Sequence, residues 1–212
     1  MKRREFLEHG LKLSIGVGAY MIFGDKLNSF ASEKTPKASA GGLPFDLTAI
    51  KGGEPDVMFD RAVSSLGGIK QFVKPNQTVV VKPNIGWDVP PERAANTNPV
   101  LVRQVIRHCL DAGAKDVYVF DHTCDNWSGC YSNSGIEKAV KDAGGKMVPG
   151  HVEKYYHNVD IPAGKALKHA KVHELILESD VFINIPVLKH HAGAGLTVSM
   201  KNLMGVVWDR WF

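Results

Sequence analysis

Thr78-Val79-Val80-Val81-Lys82-Pro83-Asn84 is the stretch that decides the fold. Four consecutive β-branched residues form an unbroken run rather than an alternation, the mark of a strand buried on both faces. Strands of that kind belong to parallel sheets covered by helices. The run stops at a lysine followed by a proline. A charge at that place must be paired or must face a cleft.

Working outward, Pro55 opens a helix whose apolar stripe is Met58, Phe59, Ala62, Val63 and Leu66, and Gly67-Gly68 stops it. Asn98-Pro99 starts a second helix, with Leu101, Val102, Val105, Ile106, Cys109 and Leu110 on one face and Gly113 at its end. Val117–Phe120 and Val181–Ile185 read as further buried strands, and Phe45–Ile50 as a short one. Ser134–Ala143 reads as a helix closed by Gly144-Gly145, and Leu196–Val207 as mostly helical. Strands separated by helices of about ten residues predict an α/β fold, a mainly parallel sheet flanked by helices and Rossmann-like. In such sheets ligands bind beyond the carboxyl ends of the strands.

The chain has 212 residues, enough for one domain plus a short segment, with 44% hydrophobic and 23% charged residues. That balance excludes global disorder, collagen, a coiled coil and a cysteine-stapled miniprotein. The net charge is +4, and residues 32–212 carry 21 basic against 19 acidic side chains, so nucleic acid is not an expected partner.

Residues 1–31 read as an address. Lys2-Arg3-Arg4-Glu5-Phe6-Leu7 carries a twin-arginine, and Leu13–Phe23 is an uncharged apolar stretch. Eleven residues span only about half of a hydrocarbon core of roughly 30 Å, so this is a signal-peptide core and not a membrane span. Ser29-Phe30-Ala31 gives a small-x-small cleavage pattern, with Ala38-Ser39-Ala40 a second candidate. The layout resembles a twin-arginine export signal. It predicts a periplasmic or otherwise extracytoplasmic protein that meets the membrane only through that signal. Residues 32–44 read as a flexible linker and residues 45–212 as the α/β domain. Trp208, Trp211 and Phe212 suggest a core that further chain would complete, so a continuation beyond Phe212 is expected.

Polar residues gather at the predicted strand ends. Lys82 and Asn84 close the first, Asp121 and His122 the second, and Asn96–Pro99 lead into a helix. After the last strand come Lys189, His190 and His191, a Gly-Ala-Gly turn, and then Thr197, Ser199, Lys201 and Asn202. Small residues let a ligand approach the backbone, and the hydroxyl, amide and ammonium groups suit a small anion. Lys82, Asn84, Asn98, Lys189, Thr197, Ser199, Lys201 and Asn202 are therefore the candidate ligand- or cofactor-binding residues. His191, Asp121 and His122 are the candidate proton movers. The residues name no cofactor. The spacing of His122, Cys124, His190 and His191 matches no zinc pattern, so no protein-ligated metal is expected. His151, His157, His169 and His173 read as surface residues. Cys124 and Cys130 either close a small disulfide loop or stay as two thiols, and Cys109 reads as a buried thiol.

Val81-Lys82-Pro83-Asn84, Thr97-Asn98-Pro99, the Asp121 strand end, Asn184-Ile185-Pro186-Val187-Leu188-Lys189 and Thr197–Gly205 together resemble the family called domain of unknown function 362. Some of its members carry ferredoxin-like cysteine motifs. This chain has no C-x-x-C, so any iron–sulfur cluster would sit in a redox partner. His191 and Lys201, with Gly193 and Gly195 between them, are also distantly similar to the nickel-pincer lactate racemase family. That resemblance implies Lys201 as a covalent cofactor anchor and the histidines as acid and base, with racemase- or isomerase-like chemistry. Asn98 stands where that family prefers a basic residue. The alternatives are a non-catalytic periplasmic binding or assembly protein, or a redox accessory. An enzyme would lose turnover but keep affinity in His191→Ala; a carrier would lose affinity in Lys201→Ala or Lys82→Ala.

Overall fold

The structure is a computed structural model that describes residues 45–210. The expected signal and linker, and Trp211 and Phe212, lie outside those residues. In chain order the elements are α1 (Pro55–Ser65), β1 (Thr78–Pro83), α2 (Pro99–Asp111), β2 (Asp116–Val119), α3 (Trp127–Asn133), α4 (Ile136–Asp142) and β3 (Lys146–Met147). They continue with β4 (Tyr156–Asp160), β5 (His169–His173), α5 (Glu174–Glu178), β6 (Val181–Ile185), β7 (Lys189–His191), β8 (Gly195–Thr197) and α6 (Ser199–Asn202). A 3-10 turn, Leu203–Val206, follows directly. No helix among the described residues is long and apolar enough to cross a membrane.

Four strands form one parallel sheet in the order β3-β2-β1-β6, so the α/β reading holds and β1 lies inside the sheet. Val79, Val80 and Val81 are fully buried. Val79 and Val81 pack with Val102, Val105 and Ile106 of α2 and Ile136 and Val140 of α4. Val80 belongs to the opposite face, with Phe120 and Val206, against which Leu175 and Ile176 pack. Both faces are covered, which is why the sequence there shows no alternation. Each fully buried valine contributes roughly 1.5–3 kcal/mol of hydrophobic stabilisation. β1 and β2 run in register from Thr78 beside Asp116, and β1 and β6 pair Lys82 with Asn184. The strands therefore end together, and their terminal polar residues share one edge.

α2 begins as its sequence predicts. The Asn98 side chain accepts from the Val100 N–H at 2.9 Å and Pro99 takes the first turn.

Other expectations change. Phe45–Ile50 is not a strand; no sheet edge pairs with it, and Phe45 and Leu47 are exposed. The helix expected over Ser134–Ala143 starts only at Ile136, because Gly135 holds a left-handed φ of 72°. A separate helix, α3, precedes it and is capped by Asn126, whose side chain accepts from the Ser128 and Gly129 N–H groups. The stretch Leu196–Val207 is helical only from Ser199. Lys189–His191 and Gly195–Thr197 form an antiparallel hairpin that turns through Gly195 at φ 69°. A second hairpin, β4–β5, gives no apolar alternation because its strands are largely polar.

His173 is the main departure from the surface reading of the histidines. It is fully buried and stacks on Phe120 at 4.0 Å between ring centroids. Its Nδ1 accepts from the Leu175 N–H at 3.2 Å, and Nε2 lies 3.3 Å from the Pro149 carbonyl, so the ring is held as the neutral Nε2–H form. Burial keeps its pKa below the usual imidazole value, against the opposing hydrogen bond to Pro149 and the nearby Glu174 charge. The unfolded chain therefore takes up a proton that the folded chain resists. Stability is complete above about pH 6.5 and is lost as the pH falls toward the depressed folded value. His122 and His151, also held low by burial, act with the same sign. The midpoint of thermal unfolding should drop between pH 7.5 and 5.5. The drop should shrink, without vanishing, in His173→Asn, whose amide oxygen can still cap Leu175. An equal drop in that variant would remove His173 as a contributor.

Candidate functional site

The carboxyl ends of β1, β2 and β6 place a buried ion pair at the floor of a cleft. Lys82 is 0% exposed and Asp121 is 3% exposed, with Nζ to Oδ1 at 2.8 Å. The ammonium also donates to the Pro83 carbonyl at 2.7 Å and to Asn202 Oδ1 at 3.2 Å. Two hydrogen bonds and the ionic contact surround the ammonium, while Asp121 Oδ1 has no hydrogen-bond partner among the described residues. Burial pulls the Lys82 pKa down, and Asp121 opposes that shift. Asp121 Oδ2 accepts from the Ile85 N–H at 2.7 Å. The second side of the pair is closed by Gly205. A Cβ there would lie 1.8 Å from Asp121 Oδ1 and 2.7 Å from Lys82 Cε, so no larger residue fits.

Asn202 ties this floor to its neighbours. Its amide nitrogen donates to the Lys82 carbonyl at 3.1 Å and to Asn184 Oδ1 at 2.7 Å. Asn184 in turn donates to the Ser199 carbonyl at 3.0 Å. The short helix α6 is thereby fixed over the strand ends, and Lys201 on it is carried to the cleft.

Two adjoining cavities open there, and a more open surface groove of about 630 Å³ along the β7–β8 hairpin and α6 shares Val198 and Lys201 with the first of them. The larger of the two cleft cavities, about 200 Å³, is bordered by residues of the β1 and β2 loops, the β7–β8 hairpin and α6, among them Asn84, Lys189, His191, Thr197, Lys201 and Asn202. The smaller, about 40 Å³, reaches down to Lys82 and Asp121 and also meets His122 and Arg210. Asn84, Gly86, Cys124, Lys201 and Asn202 border both. No carboxylate borders the larger cavity.

The expected binding residues therefore divide. Lys82, Asn84, Lys189, Thr197, Lys201 and Asn202 converge on the cleft. Lys189 is tied down, donating to Asn84 Oδ1 at 2.7 Å and to the Ala95 carbonyl, and burial lowers its pKa. Thr197 is buried and spends its hydroxyl on the Val187 and Lys189 carbonyls. Asn98 caps α2 and borders neither cleft cavity; Ser199, on α6, is exposed, borders only the surface groove, and lends its carbonyl to Asn184. Among the described residues, the Lys201 ammonium has no hydrogen-bonded or ionic partner.

The three expected proton movers also differ. Asp121 is engaged by Lys82 and Ile85. His191 Nδ1 accepts from the Gly193 and Ala194 N–H groups at 3.1 and 3.0 Å, which leaves Nε2–H as a donor. His122 is the opposite tautomer. Its Nδ1–H donates to the Val207 carbonyl at 3.1 Å while the ring stacks on Trp208, leaving Nε2 free to accept. Burial keeps His122 below the usual imidazole pKa, so it is neutral at neutral pH and can take a proton.

Several contributors escaped the sequence reading. Arg210 donates to the His122 and Thr123 carbonyls at 3.0 and 2.8 Å and so braces the β2 end. Trp87 borders the larger of the two cleft cavities and Gly205 the smaller. Only the close packing of Gly205 had a sequence signal, a glycine amid larger residues. The thiols are unbonded: Cys130 is buried on α3, its pKa pushed up to about 11 by burial, whereas Cys124 is exposed at the cleft. Among the described residues no three His, Cys, Asp or Glu side chains group to hold a metal. Asn98, which stands where the racemase family prefers a basic residue, is spent as the α2 cap and borders neither cleft cavity.

Residues 79–211, which take in every side chain of the cleft, match the family described as Domain of unknown function (DUF362). The chain belongs to that family. A DUF362 chain of this sequence is also 30% identical, over 142 residues, to a thylakoid-associated protein of Synechocystis sp.. The match covers 67% of this chain and 43% of that protein, so the chain spans less than half the length of that relative. No solved structure shows a significant match.

Removing one partner of the buried pair should strand the other. Asp121→Ala should cost about 3–5 kcal/mol in urea unfolding. Lys82→Met combined with Asp121→Asn, which keeps an acceptor for Ile85, should cost far less than the two single changes added together. Additive losses in that cycle would show that the two charges do not depend on each other.

Proposed function

We propose that this DUF362 protein binds a small anion, a carboxylate or a phosphate, in the cleft beyond the ends of β1, β2 and β6. The observation that carries the reading is Lys201. Its ammonium borders both cavities and has no partner among the described residues, at a cleft whose larger part is bordered by no carboxylate. Lys189 and Asn84 border the same cavity and add polar groups to it. A half-buried ammonium in such surroundings gains a charge-assisted hydrogen bond when an anion arrives.

Titration with inorganic phosphate by calorimetry tests this. Lys201→Ala should weaken binding about tenfold to a hundredfold, the value of one hydrogen bond to a charged group. Lys138→Ala, on an exposed side chain of α4, should leave it unchanged. Added salt should weaken the wild-type affinity. Equal affinity in the wild type and Lys201→Ala would sink the reading.

We also propose that the protein works outside the cytoplasm, reached by twin-arginine export. The Lys2–Leu7 motif and the apolar Leu13–Phe23 stretch support this, as does the thylakoid association of the Synechocystis relative. Replacing both arginines, Arg3→Lys with Arg4→Lys, should hold the protein in the cytoplasmic fraction of a twin-arginine-competent host. An unchanged distribution would overturn the assignment.

A further inference from the structure

Trp87 borders the larger cavity and is 41% exposed. Among the described residues around that cavity, no other carries an indole or benzene ring. Its backbone is fixed on both sides. The Trp87 N–H donates to Asn96 Oδ1 at 3.0 Å, and the Asn96 amide donates back to the Trp87 carbonyl at 2.8 Å. Just before it, the Gly86 carbonyl accepts from the Cys124 and Asp125 N–H groups at 3.0 and 3.1 Å.

Asn96 is buried. A buried amide is retained only when its hydrogen bonds are satisfied, and here they hold one backbone position. The consequence is a large apolar ring kept at a cavity wall by a backbone pinned on both sides. Val187 and Val198 add apolar surface to the same cavity, and Lys201 adds the positive charge. A volume of about 200 Å³ leaves room for a single ring.

We infer that Trp87 is the aromatic wall of the site, and that its ligand is an anion built on one planar aromatic ring, an aryl carboxylate or an aryl phosphate. This rests on the anion-binding reading above and adds the body of the ligand to its head. The acid group meets Lys201, and the ring lies against the indole in an offset-stacked or edge-to-face contact. A saturated ring of the same charge and similar size lacks the flat face and the polar ring edge that make such contacts favourable. Asn96 is a positioning residue: it acts on the ligand only through Trp87.

Four probes test the inference by calorimetry on the full chain: benzoate, cyclohexanecarboxylate, phenyl phosphate and inorganic phosphate. The wild type should bind benzoate roughly tenfold more tightly than cyclohexanecarboxylate, and phenyl phosphate roughly tenfold more tightly than phosphate. Trp87→Ala should erase both preferences while phosphate affinity stays at the wild-type value, which also reports that the cleft is still folded. Trp87→Phe should keep most of each preference. Equal affinities for the paired probes in the wild type, or preferences that survive Trp87→Ala, overturn the aromatic wall while leaving the anion site standing. Failure of all four probes to bind overturns both.

Discussion

The buried charge pair of Lys82 and Asp121 is the constraint around which the described domain is arranged. An ammonium taken out of water must find its full complement of acceptors, and a carboxylate its donors. Pro83, Asn202, Asp121 and the Ile85 N–H supply them from β1, the β2 end and α6. Tyr131 on α3 holds the Asp121 backbone from the other side, donating to its carbonyl at 2.8 Å and accepting from its N–H at 3.1 Å. Glycine is required at Gly150 as well as Gly205, since a Cβ at Gly150 would lie 2.2 Å from the Asp121 carbonyl oxygen. Satisfying two charges thus fixes the relative positions of two strand ends, two helices and two close backbone approaches.

That arrangement explains why residues expected to react are mostly structural. Asp121 and Lys82 neutralise each other, and Thr197 and Lys189 hold the hairpin and the β1 loop in place. The chemistry left over belongs to groups with spare valence, the Lys201 ammonium, the free nitrogen of His122 and the Nε2–H of His191. The sequence from Val181 to Val207 contains no Asp or Glu, although Lys189 and Lys201 lie within it. The wall of the cleft built from that stretch is positive because of what is left out as much as by what is present.

Much of the fold was legible in the sequence, for identifiable reasons. β1 announced itself through unbroken β-branching, and α2 through Asn98-Pro99 and a regular apolar stripe. β4 and β5 did not, because hairpins that pack on one face through few apolar residues leave no periodic signal. The α3–α4 break hinged on one backbone angle at Gly135, which composition cannot report. At the site, residue types at strand ends correctly indicated where polar groups gather. They could not indicate which groups already satisfy one another. Lys82 and Lys201 look alike in sequence; in the folded chain one is saturated and the other is not. Trp87 and Arg210 were missed because their roles come from contacts with Asn96, His122 and Thr123, none of them adjacent in the chain.

The strand order β3-β2-β1-β6 has a consequence for how the chain is made. β2 follows β1 after about thirty residues, but the other neighbour of β1, β6, lies about a hundred residues further on. At roughly 5–20 residues per second of synthesis, that edge of β1 waits on the order of ten seconds for its partner. During that interval a row of unpaired N–H and C=O groups lies beside three valines, a ready template for pairing with another chain. Lys82 sits on the same open edge and, until α6 arrives later still, remains hydrated there. The lysine that ends as the most deeply buried cation of the domain spends its first seconds as a charged guard on the strand most prone to pair wrongly.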